Sequence, residues 1–120
     1  MKPYVICHMT ASLDGRTLPS RWIPKTGNAS DLYERIHEKL AGDAWLVGRV
    51  TGADFSKRGA YDAPAPAPIP RENWIAVKES EQYAIIIDAH GKVAWGRSDI
   101  GGDPIVVVLS RRVSDQHLAG

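Results

Sequence analysis

The chain of 120 residues has the length of one compact domain, with 43% hydrophobic and 24% charged residues, a balance ordinary for a globular protein. Fifteen Lys and Arg against fourteen Asp and Glu leave a net charge of +1; no basic excess points to nucleic acid and no acidic excess to a solvating tail. This composition excludes a collagen-like chain, a coiled coil and a disordered tail, and no apolar run approaches the length of a membrane span.

Met1-Lys2-Pro3 leads into a strand-like run with no signal-type apolar core, and Cys7 is the single cysteine. An intrachain disulfide is therefore impossible, and a cytoplasmic protein is the simpler expectation. Four segments read as strands, residues 4–9, 44–47, 83–87 and 105–109. They are nearly continuous in β-branched and aliphatic residues rather than alternating, which predicts a parallel sheet covered on both faces. Cys7, inside the first of them, is expected to be buried. Between the first two strands the spacing predicts a helix over residues 31–41, with Ser30 as N-cap and Gly42 as the left-handed glycine past its end. Leu32, Ile36 and Leu40 form its apolar stripe. Strand, helix, strand makes a crossover unit, and the predicted class is α/β.

Residues 57–72 read as a surface loop, with Pro64, Pro66, Pro68 and Pro70 imposing an extended, polyproline-like course. From Ser114 a capped helix begins and spans barely more than one turn before Gly120. That brevity, together with a single convincing helix for a sheet that needs cover on two faces, predicts the N-terminal part of a larger domain, or completion by a second copy in a homodimer.

Common catalytic signatures are missing. The four histidines stand at no metal-ligand spacing, and there is no Walker loop, no GxGxxG and no GxSxG elbow. Two strand-end loops are left. Ala11-Ser12-Leu13-Asp14-Gly15-Arg16 closes the first predicted strand, where Asp-Gly could simply turn the chain or could border a ligand crevice. Gly48-Arg49-Val50-Thr51-Gly52-Ala53-Asp54 follows the second, where glycine allows close approach of a ligand and Arg49 and Thr51 offer phosphate donors, or where Thr51 caps a helix.

Taken together and in order, Ser12-Leu13-Asp14-Gly15-Arg16-Thr17, Ser20-Arg21-Trp22, Asp43-Ala44-Trp45-Leu46-Val47-Gly48-Arg49-Val50-Thr51, Ile85-Ile86-Ile87-Asp88 and Val106-Val107-Val108-Leu109-Ser110 resemble the dihydrofolate-reductase-like superfamily. Within it they resemble the reductase domain of the bifunctional riboflavin-biosynthesis deaminase/reductase. The resemblance implies a three-layer α/β/α fold with a mostly parallel sheet. It implies NADPH-dependent reduction of the ribosyl group of 5-amino-6-(5-phosphoribosylamino)uracil to ribityl. Carried over by position, Ala11, Trp22, Gly48, Thr51 and Asp54 line the cofactor, and Ser12 and Ser20 meet the substrate. Arg49, Ser110, Arg111 and Arg112, at two neighbouring strand ends, grip the adenosine 2′-phosphate and the pyrophosphate, a task that suits the planar guanidinium. Asp14 is the candidate proton donor or ribityl contact. The chain departs from the family pattern at Ala89, where serine is usual, and carries neither the D-D-P after the G-R-x-T segment nor the glycine-rich E-G-G-x-x-L motif. Zinc deamination is excluded by the absence of H-x-E and P-C-x-x-C. Reduction of another heterocycle or carbonyl compound, or a non-catalytic nucleotide-binding fragment, are the alternatives that the same residues allow.

Overall fold

Residues 1–22, 29–56, 61 and 68–120 are described by a computed structural model, with only the backbone described at Ala29 and Ser30. Most of the predicted loop, residues 57–60 and 62–67 with Pro64 and Pro66, lies outside the described residues, and Pro68 and Pro70 are irregular. Two compact units make up the chain, Met1–Ala41 and Gly42–Gly120.

In Met1–Ala41 the expected first strand is not formed. Residues 4–9 are irregular, with Tyr4 91% and Val5 80% exposed, and Cys7 is exposed rather than buried. An apolar β-branched run confers only a tendency; a strand exists when a neighbour takes up its backbone hydrogen bonds, and residues 4–9 enter no ladder. Helix α1 covers Ala29–Leu40, two residues ahead of the expected start, so Ser30 lies inside it. Asp31 in the first turn and His37 and Lys39 in the last complement the helix dipole. Its end differs too: Ala41, not Gly42, takes the left-handed conformation, with φ 44°. Tyr33 stacks on His8 at 4.1 Å between ring centroids.

In Gly42–Gly120 the other three predicted strands are present. β1 (Ala44–Gly48), β2 (Tyr83–Ile87), β3 (Asp99–Ile100) and β4 (Asp103–Val108) form one sheet in the order β1-β2-β4-β3. β1, β2 and β4 are parallel, with Gly48, Ile87 and Val108 in register. β3 is an antiparallel addition joined to β4 through Gly101 and Gly102, both at positive φ, the backbone that a tight hairpin demands. The fold is thus α/β with a mostly parallel four-stranded sheet.

The register sorts side chains between the two faces. Trp45, Val47, Ala84, Ile86, Ile105 and Val107 share one face, which helix α2 (Arg49–Ser56) covers. Gly52 lies so close to Ile86 that a Cβ there would fall 2.6 Å from its Cγ2. Phe55 meets Trp45 edge to face. The Trp45 indole crosses the small, fully buried Ala84 and donates to Asp103 Oδ2 at 2.7 Å, which ties β1 to β4 over β2. Cover on both faces, as expected from the continuous apolar strands, is not found among the described residues: Leu46 is 62% exposed on the opposite face, with Ile87, Val106 and Val108 also exposed. A second small core gathers Val93, Ala94 and Val113 beside the short helix α3 (Asp115–Ala119), which begins after Ser114 as expected. The Ser114 hydroxyl accepts from the His117 N–H at 3.2 Å and so caps it.

Candidate functional site

The carboxyl ends of parallel strands form an edge where unpaired backbone groups and the following loops meet solvent, the usual crevice of open α/β sheets. Here that edge is the row Gly48, Ile87, Val108. Arg49 follows Gly48 directly as the first residue of α2, whose first turn carries no acidic side chain, so the positive end of the helix dipole is left uncompensated. The helix starts at Arg49, which makes Thr51 a residue of the first turn and not the cap considered above. Thr51 and Asp54, three apart, are exposed and share a helix face away from the sheet. Gly48 has negative-φ backbone and no described atom within 4 Å of where a Cβ would stand. Neither conformation nor packing demands glycine there.

Beyond the ladder, β2 and β4 continue to pair. The Asp88 N–H donates to Val108 O at 3.0 Å and the Ser110 N–H to Ala89 O at 3.2 Å. Ser110 then opens a turn: its carbonyl accepts from the Val113 N–H at 3.3 Å, and its hydroxyl accepts from the Arg112 N–H at 3.3 Å. Arg111 and Arg112 occupy the tip and are exposed. Among the described residues, the ion pairs are Arg16–Asp14, Arg71–Asp115 and Arg97–Asp99, so Arg49, Arg111 and Arg112 carry no acidic partner. The sheet order corrects one expectation. Arg49 and Ser110–Arg112 stand at the ends of β1 and β4, which are separated by β2 and not adjacent, about 10 Å apart at ordinary strand spacing.

In the sequence Asp88 stands out only as the last residue of Ile85-Ile86-Ile87-Asp88. The structure makes it the organiser of this edge. Its side chain is 1% exposed, and Oδ2 accepts from the backbone N–H groups of Lys92 at 2.7 Å and Val93 at 2.8 Å. Oδ1 is buried with no hydrogen-bond partner among the described residues. The turn it closes places Gly91, at φ +61°, against Val113 and His117. An Asp after an apolar run and three before a glycine is the signal that marks such a turn. Next to it a pocket of about 160 Å³ is lined by residues that include Lys92, Gln116, Tyr61 and His117. The His117 ring stands edge-on to Tyr61 at 5.0 Å. Burial lowers the pKa of His117, and the negative charge of Asp88 opposes that shift.

Arg71 is a second residue without a sequence signal. Its guanidinium donates to Val113 O, to Arg111 O at 3.4 Å and to the Asp115 carboxylate, spanning the turn that presents Arg112.

In Met1–Ala41, Ser12, Asp14 and Trp22 are brought together around Arg16. The Gly15 N–H donates to Ser12 O at 2.8 Å, and the Ser12 N–H to Arg16 O at 2.9 Å. With Gly15 at φ +79°, this is a three-residue hairpin loop with a glycine bulge, so the turn reading of Asp-Gly is realised. The Asp14 carboxylate accepts from the Ser12 hydroxyl and pairs with Arg16 Nε at 2.8 Å. Trp22 Nε1 donates to Arg16 O at 2.8 Å. Ala11 is exposed, as is Ser20 within the 3₁₀ turn Pro19–Arg21.

These features define an α/β protein whose sheet edge exposes an open glycine and arginines without an acidic partner among the described residues. The chain matches no family model, no curated protein and no solved structure. Among the described residues, no helix is long and apolar enough to cross a membrane.

Proposed function

We propose that the chain is an NADPH-dependent reductase of the dihydrofolate-reductase-like kind, reducing the ribosyl group of 5-amino-6-(5-phosphoribosylamino)uracil to ribityl. The observation that carries this reading is the shared carboxyl edge, where Gly48-Arg49 and Ser110-Arg111-Arg112 lie on the same side of one sheet with three arginines that have no acidic partner among the described residues. Such an edge suits the phosphates of a dinucleotide: guanidinium forks and a helix N-terminus supply positive charge, and the missing Cβ at Gly48 leaves room for a backbone-close ligand. When bound, NADPH supplies the hydride. The chain's own residues bind and orient: Arg49, Ser110, Arg111 and Arg112 the phosphate groups, Thr51 and Asp54 the exposed face of α2 beside them.

For the residues of the Met1–Ala41 unit, Ala11 and Trp22 at the cofactor and Ser12 and Ser20 at the substrate rest on the resemblance. Asp14, with its carboxylate already engaged by Ser12 and Arg16, is better suited to accept hydrogen bonds from a polyol than to give up a proton. A cytoplasmic homodimer completes the reading; the exposed apolar residues Leu46, Val106 and Val108 support self-association.

The test is twofold. Fluorescence titration should show NADPH bound at least tenfold more tightly than NADH, because each charge-assisted phosphate contact is worth about 1.5–3 kcal/mol. Loss of NADPH absorbance should then depend on the phosphorylated aminouracil. Equal affinities for the two nucleotides refute the reading, and binding without turnover refutes the reductase part of it.

A further inference from the structure

We propose that Arg71 is a positioning residue for the Ser110–Val113 turn: it holds the tip that carries Arg111 and Arg112 and keeps Asp115 from neutralising them. This role rests on the reading of those arginines as phosphate ligands. The turn's own closures are long, 3.3 Å from Val113 N–H to Ser110 O and 3.3 Å from Arg112 N–H to Ser110 Oγ, beyond the usual 2.9–3.0 Å. With Arg111 and Arg112 exposed at its tip, a turn with such weak closures samples many conformations there even though Val113 is buried. Arg71 supplies the missing restraint from outside. One nitrogen, Nη1, reaches the carbonyls of both Arg111 and Val113, bracketing Arg112, while Nη2 takes the Asp115 carboxylate. Pro70 immediately before it limits the backbone freedom lost when this clamp forms.

The charge argument is separate from the mechanical one. Asp115 is the acidic side chain three residues past Arg112, and any pairing between them would remove positive charge from the tip. Arg71 occupies that carboxylate. Without it, Asp115 is released three residues from Arg112, where it competes with a phosphate for the same donors. Only a fork with several fixed donors can hold two carbonyls and a carboxylate together, so lysine is a poor replacement.

The experiment compares the full chain with Arg71→Ala, Arg71→Lys and the double variant Arg71→Ala with Asp115→Asn. Two quantities are read: the ratio of NADH to NADPH dissociation constants by fluorescence titration, and amide hydrogen exchange at Arg112, Val113 and Asp88. In Arg71→Ala the ratio should fall about tenfold with NADH affinity unchanged, the loss expected when a charge-assisted contact is misplaced. Exchange at Arg112 and Val113 should rise while Asp88, held by Val108 O, stays protected. Arg71→Lys should lie between. Adding Asp115→Asn to Arg71→Ala should recover part of the ratio without restoring slow exchange, a response that a purely structural role does not give. A wild-type preference for NADPH that is unaltered in Arg71→Ala overturns the role of Arg71 alone. A wild type with equal affinities overturns the reductase reading and this role with it, and unchanged exchange at Val113 overturns the clamp whatever the nucleotide result.

Discussion

Two glycines four residues apart should respond in opposite ways to an added side chain. At Gly52 a Cβ would stand 2.6 Å from Ile86 Cγ2 and 3.4 Å from Cγ1. Ile86 is 0% exposed and has no room to retreat, so α2 must lift from the sheet. Overpacking of this kind costs about 1–3 kcal/mol, against a helix-propensity gain of about 1 kcal/mol for alanine over glycine. Gly52→Ala should therefore destabilise by up to about 2 kcal/mol, with Tm falling by about 4 °C for each kcal/mol. At Gly48, by contrast, no described atom lies within 4 Å of the Cβ position, and β-branched residues favour strands by up to about 1 kcal/mol. Gly48→Val should leave stability equal or slightly raised, yet weaken NADPH binding at least tenfold, about 1.4 kcal/mol, because valine fills the space assigned to the cofactor. Thermal unfolding and fluorescence titration of both variants check the pair. If Gly48→Val unfolds as readily as Gly52→Ala, the glycine is structural; if it binds NADPH normally, the phosphate edge is misassigned.

Ala41 holds a left-handed conformation at the end of α1, so Ala41→Gly should stabilise the chain by about 0.5–1 kcal/mol in urea titration, and a loss would refute the strain argument. Asp88→Ala strands the buried amide of Val93 and the half-buried one of Lys92 and should cost about 2–4 kcal/mol, whereas Asp88→Asn, which keeps an acceptor, should cost less; equal losses would mean that charge rather than the two hydrogen bonds matters. For His117 the folded pKa lies below its ordinary value of 6.5, so the unfolded chain binds more protons in that range and stability rises with pH. The stabilising effect of a neutral imidazole is complete above pH 6.5 and declines as pH falls toward the folded pKa. His117→Gln should flatten that slope in urea midpoints measured across the window, and an unchanged slope would assign it to other groups.

The parts of the fold legible in the sequence are those whose partners repeat the same pattern. β2 spans residues 83–87 as read, and β1 and β4 differ only at their ends, because three aliphatic runs of like length satisfy one another as parallel neighbours. Residues 4–9 have the same composition, yet no ladder includes them, since pairing is non-local and composition cannot report it. The continuity that suggested burial on both faces reflects only strand propensity here; α2 covers one face and Leu46, Ile87, Val106 and Val108 stay exposed on the other. β3, at two residues, is too short to show a strand pattern, and Gly101-Gly102 is its one hairpin signal. α2 starts at Arg49, two residues ahead of the Thr51 cap that the sequence allows. Its residues, Val50, Thr51 and Gly52 among them, are weak helix formers, and what holds it is contact: Gly52 on Ile86, Phe55 on Trp45.

The candidate site divides along the same line. Strand ends can be read from a run that stops at Gly48-Arg49 or Ser110-Arg111-Arg112, because the residues that change character are consecutive. Their placement on alternate strands cannot, since it depends on β2 entering between them. The residues that fix the edge lie further still from any local pattern. Arg71 meets carbonyls and a carboxylate 40 to 44 residues away, and in sequence it is one more cation after a proline. Asp88 makes its bonds four and five residues ahead, within reach of a turn motif, yet its burial follows from β2 and β4 closing around it. The proposed phosphate edge needs exposed charge held still, and the two requirements would draw on different residues: Arg49, Arg111 and Arg112 for the charge, which advertise themselves, and Asp88 and Arg71 for the rigidity, which become recognisable only when the chain has folded.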